Sequence, residues 1–156
     1  MLDQGITIEV QGDVVYLSGD MNENADLMPL LNCPEPLIIN LSKVRRFNST
    51  GIRNLLKFLQ KWGSRQLSYQ ECPCDFIDQV NMIPSLLGQG SPGYSIVSLS
   101  MPYECRNCNY EDEIIENIET VKAVVGEDNQ STKKLCPQCA SPLFLISEAY
   151  LVFLTR

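Results

Sequence analysis

Cys105-Arg106-Asn107-Cys108 and Cys136-Pro137-Gln138-Cys139 are two thiol pairs, each enclosing two residues, and residues 109–135 separate them. Two residues between thiols let one tight turn present both sulfurs to a tetrahedral ion, and two such turns close a four-sulfur shell. The chain contains no histidine, so Cys105, Cys108, Cys136 and Cys139 form the natural ligand set and a single structural Zn2+ is the expected ion. Iron held by the same thiolates is the second choice. Four protein ligands leave no open position for water or substrate, so the ion is expected to hold the fold. A disulfide pair would need an oxidising compartment, and a redox CxxC would not need a second copy. Cys33, Cys72 and Cys74 remain. They read as small apolar fillers at a strand-to-helix junction, with a strained turn or a second metal site as alternatives for the 72–74 pair.

The missing imidazole also removes the usual general base near neutral pH. Ser-His-Asp triads, Cys-His dyads and HExxH metal sites are excluded, and no glycine loop that would cradle phosphate is visible. No enzyme is expected.

A second set of residues could take part in charge-based recognition. All seven basic residues of positions 1–100 fall between Lys43 and Arg65, with no acid at 36–70. Arg53, Lys57 and Lys61, spaced four apart, share one helix face that begins a turn after Thr50. Such a face could dock an acidic partner or hold a phosphate; a solvated helix face is the other reading.

These residues need elements to position them. Residues 6–10 and 14–18 flank the turn dipeptide Gly12-Asp13 and predict a hairpin. Residues 37–41, nearly all apolar, predict a central strand, and residues 41–53 a turn leading into the next helix. Ile52, Leu55, Leu56 and Leu59 recur at helical spacing up to Trp62-Gly63. A short strand at 67–70, a helix carrying Phe76, Ile77 and Val80 that stops before Pro84, a loop at 88–93 and a last strand at 94–99 complete the pattern. Alternating strands and helices predict an α/β fold with right-handed crossovers.

Asn-Ser-Thr-Gly-Ile at 48–52, after a buried strand and opening a helix, resembles the STAS domain of bacterial anti-sigma-factor antagonists, where Asp-Ser-Ser-Gly is common. The resemblance spans about residues 5–100 and includes Gly19-Asp20, the 37–41 strand and the 72–87 stretch. It implies a STAS-like mixed sheet with helices on one side. It also implies a phosphate acceptor at Thr50, the hydroxyl before the glycine, with Ser49 as its neighbour; Asn48 replaces the family's frequent aspartate. The implied partner is a regulatory protein, such as a serine/threonine anti-sigma kinase or another STAS protein. A phosphate at a helix start meets unpartnered N–H groups and adds about −1.5 to −2 charge, although Ser and Thr favour helix starts whether or not anything modifies them.

Pro102 marks an expected seam between a STAS-like domain at 1–101 and a four-cysteine module at 102–156. The second part resembles a zinc ribbon, a small β domain, with Ala140 where a glycine usually follows the last cysteine. Within its spacer, Ile114, Ile118, Val121 and Val125 fit a helical stripe, yet seven of the residues 114–125 are β-branched; a strand is expected at 111–118 only, and loop at 126–134. Residues 150–154 are expected to pack onto the first domain or onto a second copy, so a homodimer enters as an expectation.

With 10 acids and 7 bases before residue 101, and 9 and 5 after it, both parts are acidic, at net −3 and −4. Four thiolates around Zn2+ add about −2 more, which opposes phosphate-backbone contact, so no nucleic-acid partner is expected. No apolar run reaches the roughly 18 residues of a membrane span. The acid in Met1-Leu2-Asp3 does not suit a secretory signal, which points to the cytoplasm. The sequence therefore predicts a non-enzymatic signalling module that binds protein through Asn48, Ser49, Thr50, Arg53, Lys57 and Lys61. A constitutive scaffold in which Thr50 merely caps its helix is the alternative.

Overall fold

Gly12, at φ 62°, turns the chain between β1 (Ile6–Gln11) and β2 (Val14–Met21), which pair antiparallel. The computed structural model describes residues 5–88, 93–125, 131–146 and 148–155. β3 (Leu37–Phe47), β4 (Leu67–Gln70) and β5 (Ser95–Ile96) then add in parallel, giving a mixed sheet in the order β1-β2-β3-β4-β5. α1 (Ser49–Trp62) and α2 (Cys74–Met82) make the crossovers. Both crossovers step the same way across the sheet, and right-handed connections then place both helices on one face.

The central strand shows why its sequence is almost wholly apolar. Leu37, Ile39 and Leu41 are buried in the core, and Asn40, on the opposite face, is also buried. Its amide makes that burial tolerable: Nδ2 donates to Gln70 Oε1 at 3.1 Å and to Glu71 Oε2 at 2.6 Å, and Oδ1 accepts from Ser42 N at 2.9 Å. β3 does not stop at residue 41. Residues 42–47, expected as a turn, continue as strand because β2 keeps pairing with them, up to Met21 opposite Phe47.

α1 buries Ile52, Leu55, Phe58, Leu59 and Trp62 and leaves Arg53, Lys57 and Lys61 in solvent. It ends at Gly63, whose φ of 70° suits glycine and whose N–H reaches Leu59 O at 3.0 Å. α2 stops ahead of Pro84, as its sequence requires.

A second sheet follows, fully antiparallel, in the order β7-β6-β9-β8: β6 (Ser98–Cys105), β7 (Glu111–Asn117), β8 (Ser131–Leu135) and β9 (Pro142–Leu145). β6 ties the two sheets together. Its beginning forms a parallel bridge with Cys72, two residues past β4, with Cys72 N donating to Ser98 O at 3.1 Å and Ser100 N to Cys72 O at 2.8 Å. Leu99, Met101, Tyr103 and Cys105 alternate inward along it, and Pro102 sits inside the strand. The expected single strand at 94–99 is thus two, and the second belongs mainly to the other sheet. Buried residues from Val15 to Phe153 form one continuous cluster.

The ambiguous spacer resolves into both alternatives in succession, β7 and then α3 (Ile118–Val125), whose Ile118 and Val121 are buried. Part of the loop expected at 126–134 is strand β8; residues 126–130, like 89–92 of the earlier loop, lie outside the described residues. The closing segment Glu148–Thr155 is a 3-10 stretch on the chain's own α2. Asn81 joins the two, donating from Nδ2 to Tyr150 O at 2.9 Å and accepting from Phe153 N at 2.9 Å. The Tyr150 hydroxyl donates to Ser100 O.

Candidate functional site

β6 ends on Cys105 and the turn into β7 carries Cys108; Cys136 follows β8 and the turn into β9 carries Cys139. β6 and β9 are neighbours, with Cys105 opposite Leu143, so the two turns meet at one end of the sheet. All four Sγ atoms lie within 4.8 Å of one another. Cys105 and Cys139 Sγ stand 3.4 Å apart, and Cys108 and Cys136 Sγ 3.5 Å. Tetrahedral sulfurs about 2.3 Å from a metal would stand about 3.8 Å apart, whereas a disulfide needs about 2.05 Å. These thiols are therefore placed to hold one metal ion, and among the described residues they are the one such group.

The two turns repeat one backbone pattern. Cys105 N donates to Tyr110 O at 2.7 Å and Asn109 N to Cys105 O at 2.9 Å; Cys136 N donates to Ser141 O at 2.7 Å and Ala140 N to Cys136 O at 2.9 Å. Each turn closes with a residue at φ 63°, Asn109 in the first and Ala140 in the second. The alanine that stands where glycine is usual thus adopts the left-handed conformation that favours glycine. Gln138 N donates to Cys136 Sγ at 3.4 Å, and the Arg106 guanidinium covers the Phe144 ring at 4.0 Å. Hydrogen bonds from Asn107 and then Ser141 hold the Cys139 thiol down at about 5, toward the thiolate a metal requires. At Cys108 the Tyr110 backbone lowers the pKa, but desolvation and the neighbouring sulfurs prevail and push it up to about 12.

The other sequence-selected residues also come together, at the start and along one face of α1. Asn48 is the helix cap: Oδ1 accepts from Gly51 N at 2.8 Å and Nδ2 donates to Glu23 Oε2 at 3.2 Å. The capping role assigned to Thr50 in the scaffold reading therefore belongs to Asn48, a residue type that caps at least as well. Ser49 is exposed and Thr50 half-buried, and among the described residues neither hydroxyl has a hydrogen-bond partner. Gly51 presses the helix start onto β2, since a Cβ there would lie 1.9 Å from Met21 O. Ion pairs among the described residues are Arg45–Asp20, Lys122–Glu119 and Lys134–Glu116, which leaves Arg53, Lys57 and Lys61 without an acid.

Cys72 is fully buried and burial pushes its thiol far up, the behaviour of a filler. Desolvation likewise takes Cys74 up to about 11. Glu71 before them adopts φ 50°, a strained turn. Sequence reasoning missed Asn48 as the cap, although its side chain three residues before Gly51 N was the signal, and missed Asn81, for which no local signal exists. Among the described residues no helix is long and apolar enough to cross a membrane. Comparison with protein-family models, with curated proteins and with solved structures finds no match to this chain.

Proposed function

We propose that this chain is a non-enzymatic regulatory binding module, in which Cys105, Cys108, Cys136 and Cys139 hold one structural Zn2+ and the start of α1 docks a protein partner. The observation that carries the docking reading is the combination at that helix: two hydroxyls, Ser49 and Thr50, followed by three cations, none of them with a hydrogen-bond or ion-pair partner among the described residues. Asn48 already caps the helix, which leaves the exposed Ser49 and partly exposed Thr50 hydroxyls without a bond among the described residues that a modification would break. A phosphate on Thr50 would add about −1.5 to −2 charge beside Arg53 and change what the face attracts. The STAS resemblance supports a partner of the anti-sigma kinase or STAS type, in the cytoplasm of a bacterium. The four-sulfur set supports zinc over oxygen-seeking ions, since thiolates favour zinc, copper(I) and iron–sulfur chemistry.

Phosphopeptide mapping of residues 48–53, in protein isolated from its native cells under several growth conditions, tests the switch. Condition-dependent phosphate on Thr50 or Ser49 is the expected result. Absence of phosphate under every condition would contradict it and favour the constitutive scaffold, which the continuous β6 joining both sheets also supports.

A further inference from the structure

α1 and α2 share one face of the sheet, and their solvent stripes have opposite charge. Arg53, Lys57 and Lys61 run along α1, whereas α2 exposes Asp75 and Asp78. The acidic region extends past α2. Cys74, in the first turn of α2, reaches Ser100 O at 3.8 Å, and β6 places Glu113 opposite Pro102, two residues from Ser100. Exposed Glu113 on β7 reaches the start of α2, where burial and then its charge raise the pKa of the Cys74 thiol, and Glu111 and Asp112 precede it on the same strand. Burial first and the Asp75 charge second raise the pKa of Asp78, as crowding of acids would. No ion pair among the described residues engages Asp75, Asp78, Glu111, Asp112 or Glu113. Met82, 68% exposed, ends the α2 stripe with an apolar side chain.

We propose that the partner occupying the α1 face is a second copy of this chain. In a two-fold dimer, α1 of each protomer lies on the acidic α2–β7 region of the other, and the symmetry makes the same contact twice. One operation thereby pairs both uncompensated surfaces. The net charge of −7 repels two copies at long range, but at about 0.15 M salt screening acts over about 8 Å and leaves charge pairs in direct contact. The dimer should form there and dissociate near about 1 M salt. This names an occupant for the docking face assigned above and rests on that reading.

The test is light scattering and sedimentation of the full zinc-loaded chain and two variants, Lys57→Glu/Lys61→Glu and Asp75→Lys/Asp78→Lys. Wild type should have the mass of two chains at moderate salt, and each variant alone should weaken association at least about tenfold. An equimolar mixture should recover the dimer, because both contacts of the mixed pair are then attractive, and an unfolded variant could not be rescued in this way. A monomeric wild type at every salt concentration, a variant that remains dimeric, or a mixture that remains monomeric overturns the proposal. Phosphate mapping of residues 48–53 is independent of these outcomes, so the switch reading fails or stands separately.

Discussion

Asn48 accepts the Gly51 N–H, and that one bond separates structural from regulatory residues at the start of α1. Asn48→Ala should cost about 1 kcal/mol in urea unfolding, whereas Thr50→Ala should stay within about 0.5 kcal/mol. An equal loss for Thr50→Ala would mean that its hydroxyl holds the fold. Gly51→Ala should cost more than about 2 kcal/mol, because its Cβ would meet backbone atoms of Met21 and Asn22 that cannot swing aside. Ala140→Gly should raise stability by up to about 1 kcal/mol, since relief of the left-handed conformation slightly exceeds the entropy lost from a freer unfolded chain; a destabilised variant would refute that argument. At this scale the grouping of the four paired thiols was legible, because a CxxC spacing is itself a geometric instruction. Asn48 was obscured by the hydroxyls beside it, which share its preference for helix starts.

Elements were legible where one period dominated. The 52–62 stripe and the alternation at 6–18 became α1 and the β1–β2 hairpin. Residues 42–47 were not, because Ser-Lys-Val-Arg-Arg-Phe buries only Val44 fully and strand pairing with β2 holds the rest extended. Nor was the spacer, whose β-branched residues suit β7 but also occupy α3, where the buried pair Ile118 and Val121 decides. The closing segment depends on a contact remote in sequence. Asn81→Ala removes both bonds described above and should cost about 2 kcal/mol. Amide exchange at Phe153 should accelerate with it; unchanged exchange there would show that apolar packing alone docks the segment.

The molecule as a whole joins a mixed α/β sheet to an antiparallel sheet through β6 and one shared core, with the four thiols at the far end of that strand. The composition indicated an acidic, histidine-free protein with thiols to spare, but the shared strand was hidden, since Pro102 reads as a boundary and here lies on a strand between antiparallel neighbours. If zinc staples the second sheet, its removal should lower the melting temperature and loosen residues 98–145 before the β1–β5 sheet, because metal binding and folding are coupled in such sites. The most direct measurement is the metal content of protein purified without added metal, read with its melting temperature before and after chelation. One zinc per chain and a large drop on chelation are predicted; metal-free protein, or a melting temperature indifferent to chelator, would contradict the account.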